Sequence, residues 1–218
     1  WRDIAQRVAD KKQALIVVNT KKQAINLYEE LKKYKNIDGI FHLSTNMCAL
    51  HRSNIINEVK ERLREEKRCI LLSTQLIEAG VDIDFPVVFR AIGPLDSIIQ
   101  AAGRCNREGN LDKGEVVVFR PEEESLPPGV YNTATAKTEH FINENSDLHK
   151  PDIFSKYFQL LYKDVNLDEK CIQNLRQNFQ FTKVANEFNI ISNDTVNVII
   201  ENYSEMNTEQ KQKLHQIY

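Results

Sequence analysis

Several kinds of chemistry have no support in these 218 residues. The four cysteines, Cys48, Cys69, Cys105 and Cys171, form no C-x-x-C pair. Neither a zinc site nor a disulfide framework is expected, and reduced thiols in a cytoplasmic protein are the simplest account. The histidines (His42, His51, His140, His149 and His215) make no H-x-x-x-H or His-Asp pairing, so spacing suggests no metal site. No apolar run approaches the length of a membrane span, so no membrane partner is expected. The opening WRDIAQRVADKKQ is polar and amphipathic, unlike a signal peptide. There is no G-x-x-x-x-G-K-[ST], hence no loop that cradles phosphates, and no Asp-Glu-x-His or Asp-Glu-x-Asp box to hold magnesium. Internal repeats and low-complexity tracts are also missing. The chain begins with Trp1 rather than Met, and is therefore expected to be an excised piece of a longer protein.

What remains is an ordinary globular composition, 41% hydrophobic and 28% charged, with a net charge of −2. The charge is uneven. Residues 1–120 carry 20 Lys and Arg against 16 Asp and Glu, and residues 121–218 carry 9 against 15, so a polyanion would prefer the first part. Short apolar runs at Ala14–Val18, Ile40–Leu43, Cys69–Ser73, Val87–Ala91 and Glu115–Phe119 read as strands. Between most of them lie amphipathic stretches, from about Lys21 to Lys33, Ala49 to Glu66 and Asp96 to Arg107, with a further short helix over Arg2–Lys12. This alternation predicts an α/β fold, a parallel sheet with helices on both faces. Ligands of such sheets bind outside the carboxyl ends of the strands. The pattern stops at Arg120. Residues 121–131, with Leu126-Pro127-Pro128-Gly129, read as a linker, and 132–218 as a mostly helical accessory segment. Within that segment Thr195–Ile200 resembles a strand and Gln210–Tyr218 a last helix.

The stretch around which the chain is organised is Ser73–Gly109, STQLIEAGVDIDFPVVFRAIGPLDSIIQAAGRCNREG. Reading a helix over Asp96–Arg107 puts Arg104 and Arg107 three residues apart on one face. Gly103 removes side-chain bulk beside them. Two guanidinium forks on one face suit a phosphate or carboxylate, which each can grip bidentately. The competing reading is a solvated face with surface ion pairs.

The same string resembles motifs V and VI of superfamily-two helicases, in the form typical of the CRISPR-associated helicase-nuclease of type I systems. QAAGRCNREG matches the Q-x-x-G-R-x-x-R core of motif VI, and STQLIEAGVDIDFPVV matches motif V. The resemblance implies two RecA-like domains with ATP between them, of which residues 1–120 are the second. It implies that Arg104 and Arg107 act as fingers on the γ-phosphate. Gln100, Gly80 and Asp82 would approach the nucleotide; the competing reading of the last two is a turn glycine and a capping aspartate. Thr74 would touch nucleic-acid phosphate, as would Ser44 and Thr45 at the end of another strand. Asn19 and Thr20 (VVNT) resemble motif IV, and Arg52 is a further candidate for phosphate contact. For Thr20, Ser44 and Thr45 helix capping competes with that role, and for Arg52 a free surface arginine does. The implied cofactor is ATP with Mg2+, the magnesium being held by a first motor domain that these residues do not include. The implied partners are that first RecA-like domain and a nuclease domain of the same parent, single-stranded DNA, and a crRNA-guided surveillance complex. The implied function is the motor half of an ATP-dependent DNA translocase that unwinds foreign DNA, inactive alone. Its rivals are half of another superfamily-two helicase, or a docking module without catalysis that retains the fold.

Overall fold

The computed structural model describes residues 1–34, 38–78, 80–123, 125–144 and 150–188. The expected strand Thr195–Ile200 and helix Gln210–Tyr218 lie outside them. The described chain divides into two units, Trp1–Val165 and a second beginning at Asn166.

Five parallel strands form the sheet of the first unit: β1 (Gln13–Val17), β2 (Ile40–Leu43), β3 (Cys69–Ser73), β4 (Val87–Ala91) and β5 (Glu115–Phe119). Their order is β2-β3-β1-β4-β5, with Ala14 beside Ile70, Leu15 beside Val88 and Val88 beside Val116. The apolar runs on β1 and β3, both interior strands, are the most continuous, because strands buried on both faces need no polar alternation. Successive residues do separate by face. Ala14, Ile16, Ile70, Leu72 and Phe89 join one core, with α1 (Arg2–Ala9) and α2 (Lys21–Leu31) over it. Leu15, Val17, Cys69, Leu71 and Val88 join the other, beneath α3 (Ala49–Arg64) and α4 (Leu95–Ala102). Truncating such a residue, Leu71 for example, costs about 2 to 5 kcal/mol through lost burial and the cavity left behind.

Beyond β5 the compact unit continues to Val165. Helices α5 (Val130–Asn143) and α6 (Asp152–Asp164) enclose a third core of Leu95, Ala134, Phe141, Ile153, Tyr157 and Leu161, with Leu95 contributed by α4. Tyr157 is wholly buried; its hydroxyl accepts from the Leu95 amide at 3.3 Å, serving one of the orphan amides of the α4 start. Burial and the neighbouring Asp96 push that phenol up to about 12. The composition break at Arg120 therefore marks the end of the sheet, while the packing that begins with the sheet continues through α6.

In the second unit the described elements are α7 (Ile172–Gln177) and α8 (Phe181–Glu187). The Asp168 carboxylate accepts from the Ile172 and Gln173 amides at 2.6 and 3.0 Å and so starts α7. Among the described residues no helix is long and apolar enough to cross a membrane.

Candidate functional site

The segments singled out from sequence leave the carboxyl ends of adjacent strands: Asn19 and Thr20 after β1, Ser44 and Thr45 after β2, Thr74 after β3, Gly93 after β4. A buried polar network ties them together. Arg90, in β4, has no solvent exposure. Its guanidinium donates to Asn19 Oδ1 and to the Ala91 carbonyl, both at 2.7 Å, and to the Tyr131 hydroxyl at 3.1 Å. Its Nη2 also lies 3.0 Å from Glu78 Oε1 as an ion pair. Tyr131, on α5, donates to Asn19 Oδ1 at 2.8 Å, and Asn19 Nδ2 donates to the Ile92 carbonyl at 2.7 Å. Gln23 accepts from the Asn19 amide and donates to the carbonyls of Glu123 and Ser125. Gln75 donates to the Asn19 carbonyl at 3.3 Å. Gly93 lies in the middle: a Cβ there would sit 2.9 Å from the Tyr131 hydroxyl and 3.1 Å from Arg90 Nη2, so only glycine admits the network.

Glu78 is 8% exposed, and burial raises its carboxyl above the ordinary carboxylate range against the opposing pull of Arg90 and a hydrogen bond with Ser97. Asn19 is buried with its amide engaged at both ends, so its side chain serves this network. Thr20 caps α2, its hydroxyl accepting from the Gln23 amide at 3.2 Å. Ser44 and Thr74 are buried, Thr45 is exposed and Arg52 is partly exposed. Lys21 at the start of α2 bonds to Asn46 Oδ1, joining the segment after β1 to that after β2.

Motifs V and VI meet along the segment that leads from the end of β3 back to the start of β4. The expected helix through Arg107 is corrected: α4 ends at Ala102, with Gly103 as its cap. The cause is a competing pairing. Phe85 and Cys105 form a parallel bridge, in which the Phe85 amide donates to the Arg104 carbonyl and the Asn106 amide donates to the Phe85 carbonyl, both at 2.9 Å. Asn106 then turns the chain at φ +48°. Arg104 and Arg107 thus share a loop rather than a helix face. Arg104 donates from Nε to the Ile77 carbonyl at 3.3 Å and from Nη2 to the Glu78 carbonyl at 2.9 Å. Arg107 is 44% exposed in its side chain and reaches Asp82 Oδ1 at 2.6 Å. Gly80 is exposed at φ +77° with open space around it; it is the backbone turn, rather than crowding, that asks for glycine. Gln100 stands exposed on α4.

The sequence reading missed Arg90, Glu78, Gln23, Tyr131 and Asp84. A signal existed for Arg90, because a cation inside the apolar run VVFRA needs a buried partner. Tyr131 gives no such signal, since its partners lie far along the chain. Among the described residues no group of three or more His, Cys, Asp or Glu is placed to hold a metal ion.

A five-stranded parallel sheet with helices on both faces is a RecA-like α/β fold, and motifs V and VI meet along its connection between β3 and β4. Residues 10–110 match the family model described as the C-terminal part of CRISPR-associated nuclease/helicase Cas3. Curated Cas3 proteins resemble the chain in sequence. One from Methanothermobacter thermautotrophicus is 38% identical over 112 residues, 50% of this chain and 13% of that protein. One from Haloferax volcanii is 57% identical over 61 residues, 26% of this chain and 6% of that protein. The crystal structure of T. fusca Cas3-ATP shares the fold, with a TM-score of 0.59 at 17% identity over 91% of this chain and 27% of that one. Over residues 10–110 the chain is similar to the C-terminal part of Cas3, and it spans only a small part of the relatives it matches.

Proposed function

We propose that this chain is the second half of the motor of an ATP-dependent single-stranded DNA translocase, which unwinds foreign DNA for degradation in CRISPR interference. The observation that carries the reading is the meeting of motifs V and VI along the connection between β3 and β4, where Arg107 is exposed and, among the described residues, its side chain pairs with the exposed Asp82. An exposed ion pair contributes at most about 1 kcal/mol, so Arg107 exchanges Asp82 for a phosphate oxygen at little cost. Phosphoryl transfer spreads charge over the terminal oxygens, and a positioned guanidinium stabilises it. Arg104 acts beside it as the second finger, with two of its donors committed to motif V carbonyls and the rest available. Gly80, Asp82 and Gln100 line the nucleotide side.

The phosphate-cradling loop and the magnesium box come from a first RecA-like domain of the same parent protein, and the nuclease site from a further domain. ATP with Mg2+ binds between the motor domains when they close. Thr45 and Arg52, with Ser44, Thr74, Asn19 and Thr20 shaping the strand ends behind them, meet the DNA backbone through hydroxyls and amides without reading bases. A crRNA-guided surveillance complex delivers the DNA in the cytoplasm. The curated relatives are named nuclease/helicases, and Cas3 structures described with ATP and AMPPNP share this fold, which supports a nucleotide motor over a docking module.

The test is turnover by this chain alone against the complete motor. The chain should hydrolyse ATP no faster than buffer, with or without DNA, whereas the complete motor should show DNA-stimulated hydrolysis. Robust turnover by the chain alone would overturn the half-site reading.

A further inference from the structure

Burial alternates along the segment from Asp82 to Phe85. Ile83 and Phe85 are buried in the core beneath α3 and α4, so Asp82 and Asp84 emerge on the opposite side of the segment. Both carboxylates meet the same residue. Asp82 takes the guanidinium of Arg107 at 2.6 Å. Asp84 takes the backbone: its Oδ1 accepts from the Arg107 amide at 2.7 Å and its Oδ2 from the Glu108 amide at 3.2 Å.

We infer that Asp84 is the positioning residue for Arg107, a carboxylate clamp that fixes the backbone from which the motif VI arginine reaches phosphate. The inference rests on the finger role proposed above. Arg107 lies beyond the end of α4, so no helical ladder holds its amide. The loop is fixed on the other side by Asn106, whose side chain accepts from the Leu111 amide at 2.9 Å and donates to its carbonyl at 2.7 Å. Asn106 also carries the left-handed turn, at φ +48°. Between that turn and the exposed residues after it, the two amides on Asp84 fix where the Arg107 side chain starts. Charge-assisted bonds to backbone amides are the strong kind. Two of them at consecutive residues fix direction as well as distance. When Arg107 leaves Asp82 for a phosphate its side chain swings, while its Cα stays referenced to motif V through Asp84. Asp82 is part of the nucleotide side in this account; Asp84 touches no substrate.

A double-mutant comparison in the complete motor tests this, read as DNA-stimulated ATP turnover with kcat and KM for ATP separated. Asp84→Ala should lower kcat by roughly 10- to 100-fold, the scale of an ångström-sized misplacement, with KM changed less than about 3-fold. Asp84→Asn, of nearly the same shape, keeps one acceptor and should fall between wild type and Asp84→Ala, and it carries the test if the alanine variant folds poorly. In an Arg107→Ala background, Asp84→Ala and Asp84→Asn should change turnover less than about 2-fold, because the residue being positioned is gone. Equal losses in both backgrounds would overturn the clamp while leaving the finger intact. Normal turnover by Arg107→Ala alone would overturn the finger reading and the clamp together. An unaltered kcat in both Asp84 variants would overturn the clamp alone.

Discussion

Arg90 is the buried ion on which most of the strand-end geometry depends, and its removal has a calculable cost. Arg90→Met keeps the volume and apolar stem but deletes four polar contacts: Asn19, the Ala91 carbonyl, Tyr131 and Glu78. Asn19 Oδ1 and the Tyr131 hydroxyl keep each other, so the main loss is Glu78, left buried with Ser97 as its remaining polar partner. Breaking a buried pair from one side costs about 3 to 5 kcal/mol. For a unit of this size that lowers Tm by about 6 to 20 °C. The loss has a pH sign. Without Arg90 the Glu78 carboxyl, already raised by burial, rises further, and the folded variant holds its proton to higher pH. Relative to wild type, the variant should be most destabilised above the new folded pKa and should recover as pH falls below it. Adding Glu78→Leu removes the stranded carboxylate and should restore most of the lost stability. The assay is a thermal melt of this chain across pH 5 to 8 for wild type, the single variant and the double. A single variant within about 2 °C of wild type, or a double variant whose loss exceeds the single, would refute the network as described.

Other expectations follow from the same structure. DNA binding by the isolated chain should be weak, salt-sensitive and nearly blind to sequence, as measured by fluorescence anisotropy on unrelated oligonucleotides; a strong preference for one sequence at physiological salt would count against backbone recognition. Cys69, buried with its thiol pushed up to about 12, should stay unalkylated by iodoacetamide in the folded chain while exposed Cys171 reacts, a difference that mass spectrometry reads directly. Tyr157→Phe should cost about 1 kcal/mol and shift Tm by a few degrees, since only one hydroxyl is removed from a packed ring.

The sheet was legible because its physics is local. Four of the five strands fall where their apolar runs lie, and β1 is displaced by one residue, to Gln13–Val17, because Gln13 pairs with Cys69 while the last register pair is Val17 with Ser73. The end of α4 was not legible. Cys105 falls in phase with the apolar stripe of α4, so periodicity carries the helix onward, whereas the real position of Cys105 is set by its bridge to Phe85, twenty residues earlier. Arg104 and Arg107 were singled out from their motif, but their geometry depends on that long-range pairing. The same holds for Tyr131. Tyr131, just past a Pro-Pro-Gly turn, falls at the end of the stretch read as a linker, and only the folded chain brings its hydroxyl to Asn19 and Arg90.

The central claim is that the motif VI arginines act on the nucleotide rather than on the fold. The most direct measurement is Arg107→Ala in the complete motor, with melting temperature and DNA-stimulated ATP turnover taken on the same preparation. Arg107 is exposed and, among the described residues, its side chain pairs with exposed Asp82, so Tm should move by less than about 2 °C, as for other surface ion pairs. Turnover should fall by roughly 10³-fold or more, as removal of an arginine finger does, and Arg107→Lys should not restore it because an ammonium lacks the bidentate fork. A lowered Tm with turnover per folded molecule unchanged would contradict the account.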